Sequence, residues 1–125
     1  MLQLICHLVG DYWFQTDQMA LNKKEKTRKG LLLCILHCVL YSLPFLILVH
    51  WTGVIAIAIG HFVMDRYHWL DHLIAWKNRV KNVDNFGFSP ERPKMLALFL
   101  YIVHDNAFHL LWNYLIILLW TITLK

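Results

Sequence analysis

The sequence predicts an all-α integral membrane protein, a helical bundle of about four helices with the first short or half-buried. Of its 125 residues, 58% are hydrophobic, which exceeds the composition of ordinary soluble domains. The apolar residues lie in long blocks, since Gly30 to Val49 contains no formal charge and Leu96 to Leu124 contains only Asp105. Such blocks predict membrane-spanning helices, and the length leaves room for one transmembrane domain, residues 1–125. A soluble domain of this size could not bury three helices that are apolar on every side.

The basic residues cluster in two connections, Lys23 to Lys29 and Lys77 to Lys94. The positive-inside rule places both connections in the cytoplasm and the protein in a cytoplasmic membrane. The net charge of +4 then favours anionic lipid headgroups over nucleic acid. We therefore expect membrane lipids as partners and no nucleic acid. The sequence leaves open whether the protein forms a homo-oligomer. The first residues lack a basic segment, so no signal peptide is expected.

The four predicted helices differ in how clearly the sequence marks them. The first is the least regular, because a polar stripe runs along one of its faces. Pro44 is expected to kink the second. The connection between these two helices, residues 22–29, is expected to be a solvated loop. The predicted helices are Met1 to Leu21, Gly30 to Val49, Val54 to about Trp76, and Pro93 to Leu124.

Each predicted helix carries at least one ionisable side chain within its apolar part. Three His–Asp pairs are spaced four residues apart, so each pair lies on one helix face. Ionisable groups inside a membrane are costly and indicate a functional site. At a rise of about 1.5 Å per residue, all of them lie about 11 to 22 Å from the cytoplasmic ends of their helices. The residues predicted to meet there are His7, Asp11, His37, His61, Asp65, Asp105 and His109.

Imidazole and carboxylate groups are the usual ligands of zinc, iron and manganese, so this cluster predicts a divalent metal site. Seven side chains exceed the need of one tetrahedral ion. They would suit two ions, or one ion with His–Asp pairs that orient its ligands. The alternative is a polar cluster that only holds the helices together by hydrogen bonds. Cys6 adjoins His7, but the three cysteines are expected to fill apolar space.

The order of these residues along the chain is itself distinctive. The stretches are His7-x3-Asp11-x3-Gln15, Asn22-Lys23-Lys24, His37, His61-x3-Asp65 and Asp105-Asn106-x2-His109. Over nearly the whole chain they resemble a small family of bacterial and phage membrane proteins, domain of unknown function 3307. That family typically has Gln where this chain has Asn106, and it has no established activity. The resemblance implies the bacterial inner membrane. The His/Asp pattern is also similar, more loosely, to that of membrane-bound metal-dependent hydrolases.

We therefore expect a metal-dependent hydrolase that takes a lipid-like or phosphoester substrate from the cytoplasmic side. Asp11, Asp65 and Asp105 are its candidate catalytic carboxylates, beside a metal that lowers the pKa of a bound water. His68 and His72 would line the entrance. The first alternative is a non-enzymatic membrane module with a structural metal or a polar cluster. Such a module could be phage-encoded. A metal-ion or proton transporter is the second, and the lack of carboxylates in the outer half disfavours it.

Overall fold

The chain folds into six α-helices and no β-strand within residues 1–67 and 69–123, which the computed structural model describes. A π-helical turn, Val9–Trp13, follows α1, and a 3-10 turn, Leu43–Ile47, follows α3. The predicted all-α class is confirmed, but two of the four predicted helices are interrupted. The α-helices are α1 (Leu2–Leu8), α2 (Asp17–Asn22), α3 (Arg28–Ser42), α4 (Trp51–Arg66), α5 (Trp69–Asn78) and α6 (Lys94–Thr123).

Two threonines mark where α2 and α3 begin. Thr16 has an extended backbone, and its hydroxyl accepts a hydrogen bond from the backbone N–H of Met19 at 3.3 Å. Thr27 does the same for Gly30 at 3.0 Å. Both are N-caps, which satisfy backbone donors that have no partner within the helix. The Thr16 cap divides the first predicted helix, so the expectation of one continuous helix over residues 1–21 was wrong.

The predicted third helix is also two helices. α4 begins at Trp51, earlier than predicted, and ends at Arg66, and α5 begins at Trp69. The sequence from Arg66 to Trp69 contains neither Gly nor Pro, so it has no helix-breaking residue that would predict the interruption. By contrast, the end of α3 has a local signal, Pro44. Proline cannot donate a backbone hydrogen bond, and α3 is followed by the 3-10 turn that contains Pro44.

The described residues form two compact units. The first contains Met1–Arg66 and residues 109–123, and the second contains Tyr67 and residues 69–108. Each unit has its own apolar core. The core of the first unit consists of Cys6, Tyr41, Phe45, Val49, Val54, Ile57 and Ile116. The core of the second consists of Leu70, Ile74, Phe88, Ala97 and Tyr101.

Within the described part of the chain, two helical segments are long and apolar enough to cross a membrane. They are Arg28–Ile47, with 20 residues, and Lys94–Thr123, with 30 residues. α4 has 16 residues, which is short of the roughly 20 that a full span requires. Large apolar side chains on the two long segments are exposed, with Leu32 at 67% and Ile122 at 63%.

Candidate metal centre

Gly10 allows the first helical segment to approach α3 closely. A Cβ atom at this position would lie 2.7 Å from both the carbonyl oxygen and the Cδ2 atom of Tyr41. The surrounding turn is π-helical, with a hydrogen bond from the backbone N–H of Phe14 to the carbonyl of Val9 at 3.0 Å. Such turns change the direction of side chains within a helix. The close approach therefore brings the side chains before and inside this turn, His7 and Asp11, to α3.

Gly60 has the same effect on α6. Its lack of a side chain leaves room for the indole ring of Trp112, which a Cβ atom would overlap. The indole N–H of Trp112 donates a hydrogen bond to the carbonyl of Ala56 at 3.1 Å. This contact holds the part of α6 that contains His109 against α4. Gly60 directly precedes His61 in the sequence.

His37 of α3 and His61 of α4 meet at the centre of the first unit. Their Nε2 atoms are 2.9 Å apart. Asp11 Oδ1 lies 3.3 Å from the Nε2 of His37 and 3.5 Å from that of His61. Asp65 Oδ2 lies 3.2 Å and 3.3 Å from the same two atoms. We term these two nitrogens and two oxygens the inner quartet.

The inner quartet has the donor chemistry of a divalent metal site, because two imidazole nitrogens with two carboxylate oxygens suit zinc, iron or manganese. Metal–ligand bonds of about 2.0–2.2 Å in tetrahedral geometry place neighbouring ligand atoms about 3.3–3.6 Å apart. The four nitrogen–oxygen separations above are 3.2 to 3.5 Å, whereas the two nitrogens are closer, at 2.9 Å. Asp11, His37 and His61 form a first group of candidate ligands whose ligand atoms lie within 4.8 Å of one another.

Each carboxylate of the inner quartet presents its second oxygen to a further histidine. Asp11 Oδ2 lies 3.5 Å from His7 Nδ1. Asp65 Oδ1 lies 3.6 Å from His109 Nε2, and His61, Asp65 and His109 form a second group whose ligand atoms lie within 4.8 Å of one another. The outer pair, His7 and His109, can therefore orient the two carboxylates or contribute to a second ion.

Tyr41 positions two of these histidines. Its ring stacks on that of His61, with centroids 3.6 Å apart and an interplanar angle of 18°. Its hydroxyl accepts a hydrogen bond from Asn113 Nδ2 at 2.6 Å and lies 2.8 Å from His7 Nδ1. Tyr41 was not among the predicted site residues. The available signal was its position four residues after His37, which places both side chains on one helix face.

The Nδ1 atoms of His37 and His61 have no hydrogen-bond partner among the described residues. Proteins usually give this second nitrogen of a metal-bound imidazole a carbonyl or carboxylate acceptor. Here the ring of His61 is oriented by its stack on Tyr41 instead. In the tautomer with the protons on Nδ1, both Nε2 lone pairs face carboxylate oxygens, and a cation between them would stabilise that arrangement.

Lys23 brings a cation to the edge of the inner quartet. Its Nζ atom lies 2.5 Å from Asp65 Oδ2 and donates a hydrogen bond to Gln15 Oε1 at 2.7 Å. Lys23 is only 9% exposed. An ammonium group buried to this degree requires charged or polar partners, and Asp65 and Gln15 provide them.

The burial of Lys23 corrects the prediction that residues 22–29 form a solvated loop. Arg66 holds this turn, because its Nη1 atom donates to the carbonyl oxygens of Lys23 at 2.9 Å and Glu25 at 2.5 Å. Because this segment is rich in charged residues, its composition did not distinguish Lys23 from the other lysines. The signal that could have found it was the Asn22-Lys23-Lys24 stretch, which is part of the family resemblance.

Six of the seven predicted ligands lie in the first compact unit, and Asp105 lies in the second. Asp105 is half-buried and belongs to neither group of candidate ligands found among residues 1–67 and 69–123. Its assignment to the site stays a prediction. The proposed entrance formed by His68 and His72 also stays a prediction. His72 is exposed on α5, and His68 lies outside the described residues.

Comparison with known proteins assigns the chain to a family. No curated protein and no solved structure matches the chain. A family model described as "Protein of unknown function (DUF3307)" matches residues 1–125, which is the full length of the sequence and includes every residue of the site. The resemblance drawn from the His/Asp order is thereby confirmed, whereas no match supports the looser similarity to hydrolases. The chain belongs to the DUF3307 family of proteins of unknown function.

Proposed function

We propose that this protein is a membrane-embedded metal-dependent hydrolase that takes a lipid-like or phosphoester substrate from the cytoplasmic side. The observation that carries the proposal is the inner quartet, whose donor atoms suit a divalent ion and whose nitrogen–oxygen separations are 3.2 to 3.5 Å. A divalent ion held there would polarise a phosphoryl or acyl oxygen and lower the pKa of a bound water. Asp11, His37, His61 and Asp65 would hold it.

Asp11 is the best candidate for a general base. Its side chain is 13% exposed, whereas those of His37 and Asp65 are 0% and 2% exposed. Asp11 is therefore the member of the inner quartet that water and substrate can reach. A carboxylate in such a position can accept a proton from a nucleophilic water. The side chain of Asp65 is almost fully buried, so Asp65 is better suited to a ligand role.

Membrane embedding is supported by the exposed apolar surface of α3. Leu32, Ile35, Leu36 and Val39 are exposed on a helix that also carries His37. Contiguous apolar surface of this kind marks a membrane or protein interface. His37 lies nine residues after Arg28, at about 14 Å along the helix. With the basic residues before α3 in the cytoplasm, the inner quartet lies in the cytoplasmic half of the bilayer.

A non-enzymatic membrane module is the second candidate, and one observation favours it. Bound together to one ion, the four atoms of the inner quartet would complete a tetrahedral coordination and leave no position for a substrate, which is typical of a structural metal site. The same contacts are also within reach of His–Asp hydrogen bonds, which hold helices together in membranes.

Elemental analysis of the detergent-solubilised protein tests the proposal. We expect one or two equivalents of zinc, iron or manganese in the wild type. His61→Ala and Asp65→Asn should lose the metal, and His50→Ala, which alters an exposed histidine outside the site, should retain it. The loaded protein is then assayed with chromogenic phosphomonoesters, phosphodiesters and carboxylesters.

The possible results separate the candidates. Hydrolysis that depends on the metal and is lost in Asp11→Asn supports the enzyme. A tightly held metal without turnover of any of these esters supports the structural module. A wild-type protein that neither contains nor takes up metal overturns the metal site, and full occupancy in His61→Ala and Asp65→Asn overturns its location.

A further inference from the structure

We propose that Lys23 is a built-in competitor of the metal ion. Its ammonium group forms an ion pair with Asp65, and a divalent ion has to break this pair in order to bind the inner quartet. Metal loading is then an exchange of one cation for another. This inference rests on the proposed metal site and describes how the same site is regulated.

The competition concerns a single oxygen atom. Asp65 Oδ2 lies 2.5 Å from Lys23 Nζ, 3.2 Å from His37 Nε2 and 3.3 Å from His61 Nε2. The oxygen that completes the inner quartet is therefore the one that holds the ammonium group. A divalent ion and an ammonium group on the same oxygen repel each other strongly at this distance, since little solvent lies between them.

Burial strengthens the Lys23–Asp65 ion pair as an obstacle to metal binding. The side chains of Lys23 and Asp65 are 11% and 2% exposed, so solvent and salt screen the pair weakly. The other partner of the ammonium group, Gln15 Oε1, is neutral. Asp65 supplies a charged contact of the ammonium group, and the metal ion would take that contact away.

The side chain of Lys23 can leave without disrupting the turn. Arg66 binds backbone carbonyls of the turn, those of Lys23 and Glu25, and these two contacts do not involve the lysine side chain. Lys23 is the C-cap residue of α2, and Glu25, two residues later, is exposed. Rotation about the bonds of its four-carbon side chain is therefore enough to move the ammonium group toward the surface.

Charge balance gives the direction of the effect. Two carboxylates and two neutral imidazoles carry a charge of −2, which matches a divalent ion. Lys23 reduces the local charge to −1 for as long as its ammonium group stays in place. Removing the ammonium group should therefore strengthen metal binding, in contrast to removing a ligand.

The test measures the zinc dissociation constant of the full-length protein in detergent by competition with a chromogenic chelator. We expect Lys23→Met to bind zinc at least tenfold more tightly than the wild type and Lys23→Arg to stay close to it. Lys24→Met is the matched control, because it removes the neighbouring positive charge, and its affinity should not change. Lys23→Gln, which can still donate a hydrogen bond to Asp65, tests the same prediction if Lys23→Met does not fold.

Thermal unfolding gives an independent readout. Without zinc, Lys23→Met should unfold at a lower temperature than the wild type, because the buried carboxylate of Asp65 loses its charged partner. With saturating zinc, the difference should disappear or reverse. Unchanged or weaker zinc binding in both Lys23→Met and Lys23→Gln, beside a wild type that binds zinc, overturns the exchange and leaves the metal centre standing. Failure of all variants and the wild type to bind any of the three metals overturns both proposals.

Discussion

The Nε2 atoms of His37 and His61 lie 2.9 Å apart in the interior, although the two residues are 24 positions apart in the chain. Both rings are almost fully buried, and both nitrogens face oxygens of Asp11 and Asp65. The contact between the two nitrogens depends on the packing of α3 against α4. It is the part of the proposed site where a single substitution should have the clearest effect.

We first predict that His37→Ala and His61→Ala each weaken zinc binding by more than about 100-fold, because each removes a direct ligand. The double variant should bind little worse than either single variant, since residues that hold one ion act as a unit. Chelator competition measures all three, with His50→Ala as the control. Additive losses in the double variant would indicate that the two histidines do not share an ion.

The second prediction concerns Gly10. Gly10→Ala would place a Cβ atom 2.7 Å from the carbonyl oxygen of Tyr41, so the π-helical turn has to move away from α3. We expect a loss of about 1–3 kcal/mol in the free energy of unfolding and at least tenfold weaker zinc binding, because Asp11 lies in the same turn.

A matched control exists for this substitution. Gly53→Ala brings its Cβ atom to 3.0 Å from Val49 and 3.2 Å from Trp120, both side-chain contacts that involve no residue of the inner quartet. It should lower stability and leave zinc affinity unchanged. Equal zinc affinities for Gly10→Ala and the wild type would show that the close approach of the π-helical turn to α3 does not position Asp11.

Third, Tyr41→Phe should destabilise the protein more than it weakens the metal site. The substitution removes the hydroxyl group to which the buried Asn113 donates, at a cost of about 1–3 kcal/mol. The aromatic stack on His61 remains, so zinc affinity should fall less than tenfold. Tyr41→Leu removes the stack as well and should weaken zinc binding further. Chemical unfolding and chelator competition, applied to both variants, separate the two effects.

Our fourth prediction tests orientation in the membrane. Lys26, Lys81 and His50 are exposed and suit single cysteine substitutions, while Cys6, Cys34 and Cys38 are buried. A membrane-impermeant maleimide should label Lys26→Cys and Lys81→Cys only in inverted vesicles, and His50→Cys only in intact spheroplasts. Labelling of all three from both sides would contradict membrane embedding.

Much of the helical structure follows from local patterns. The last predicted helix, Pro93 to Leu124, agrees closely with α6, because a long apolar run without a breaker favours one continuous helix. The interruption after Arg66 could not be predicted, since the sequence has neither Gly nor Pro between Arg66 and Trp69. The contacts of Arg66 itself are not local, because its side chain donates to the carbonyls of Lys23 and Glu25.

The sequence by itself determined the all-α class and the candidate residues of the site. Four-residue spacing places His7 with Asp11 and His61 with Asp65 on single helix faces, a consequence of 3.6 residues per turn. The role of these residues as metal ligands stays a prediction.

Only the tertiary structure decided which helix faces meet. It placed Asp11 beside His37 and buried Lys23 against Asp65, and it left Asp105 in the second compact unit. Contacts of this kind depend on how each helix is rotated and how closely it approaches its neighbours. Those quantities are set by packing at positions such as Gly10 and Gly60, far in the sequence from the groups they bring together.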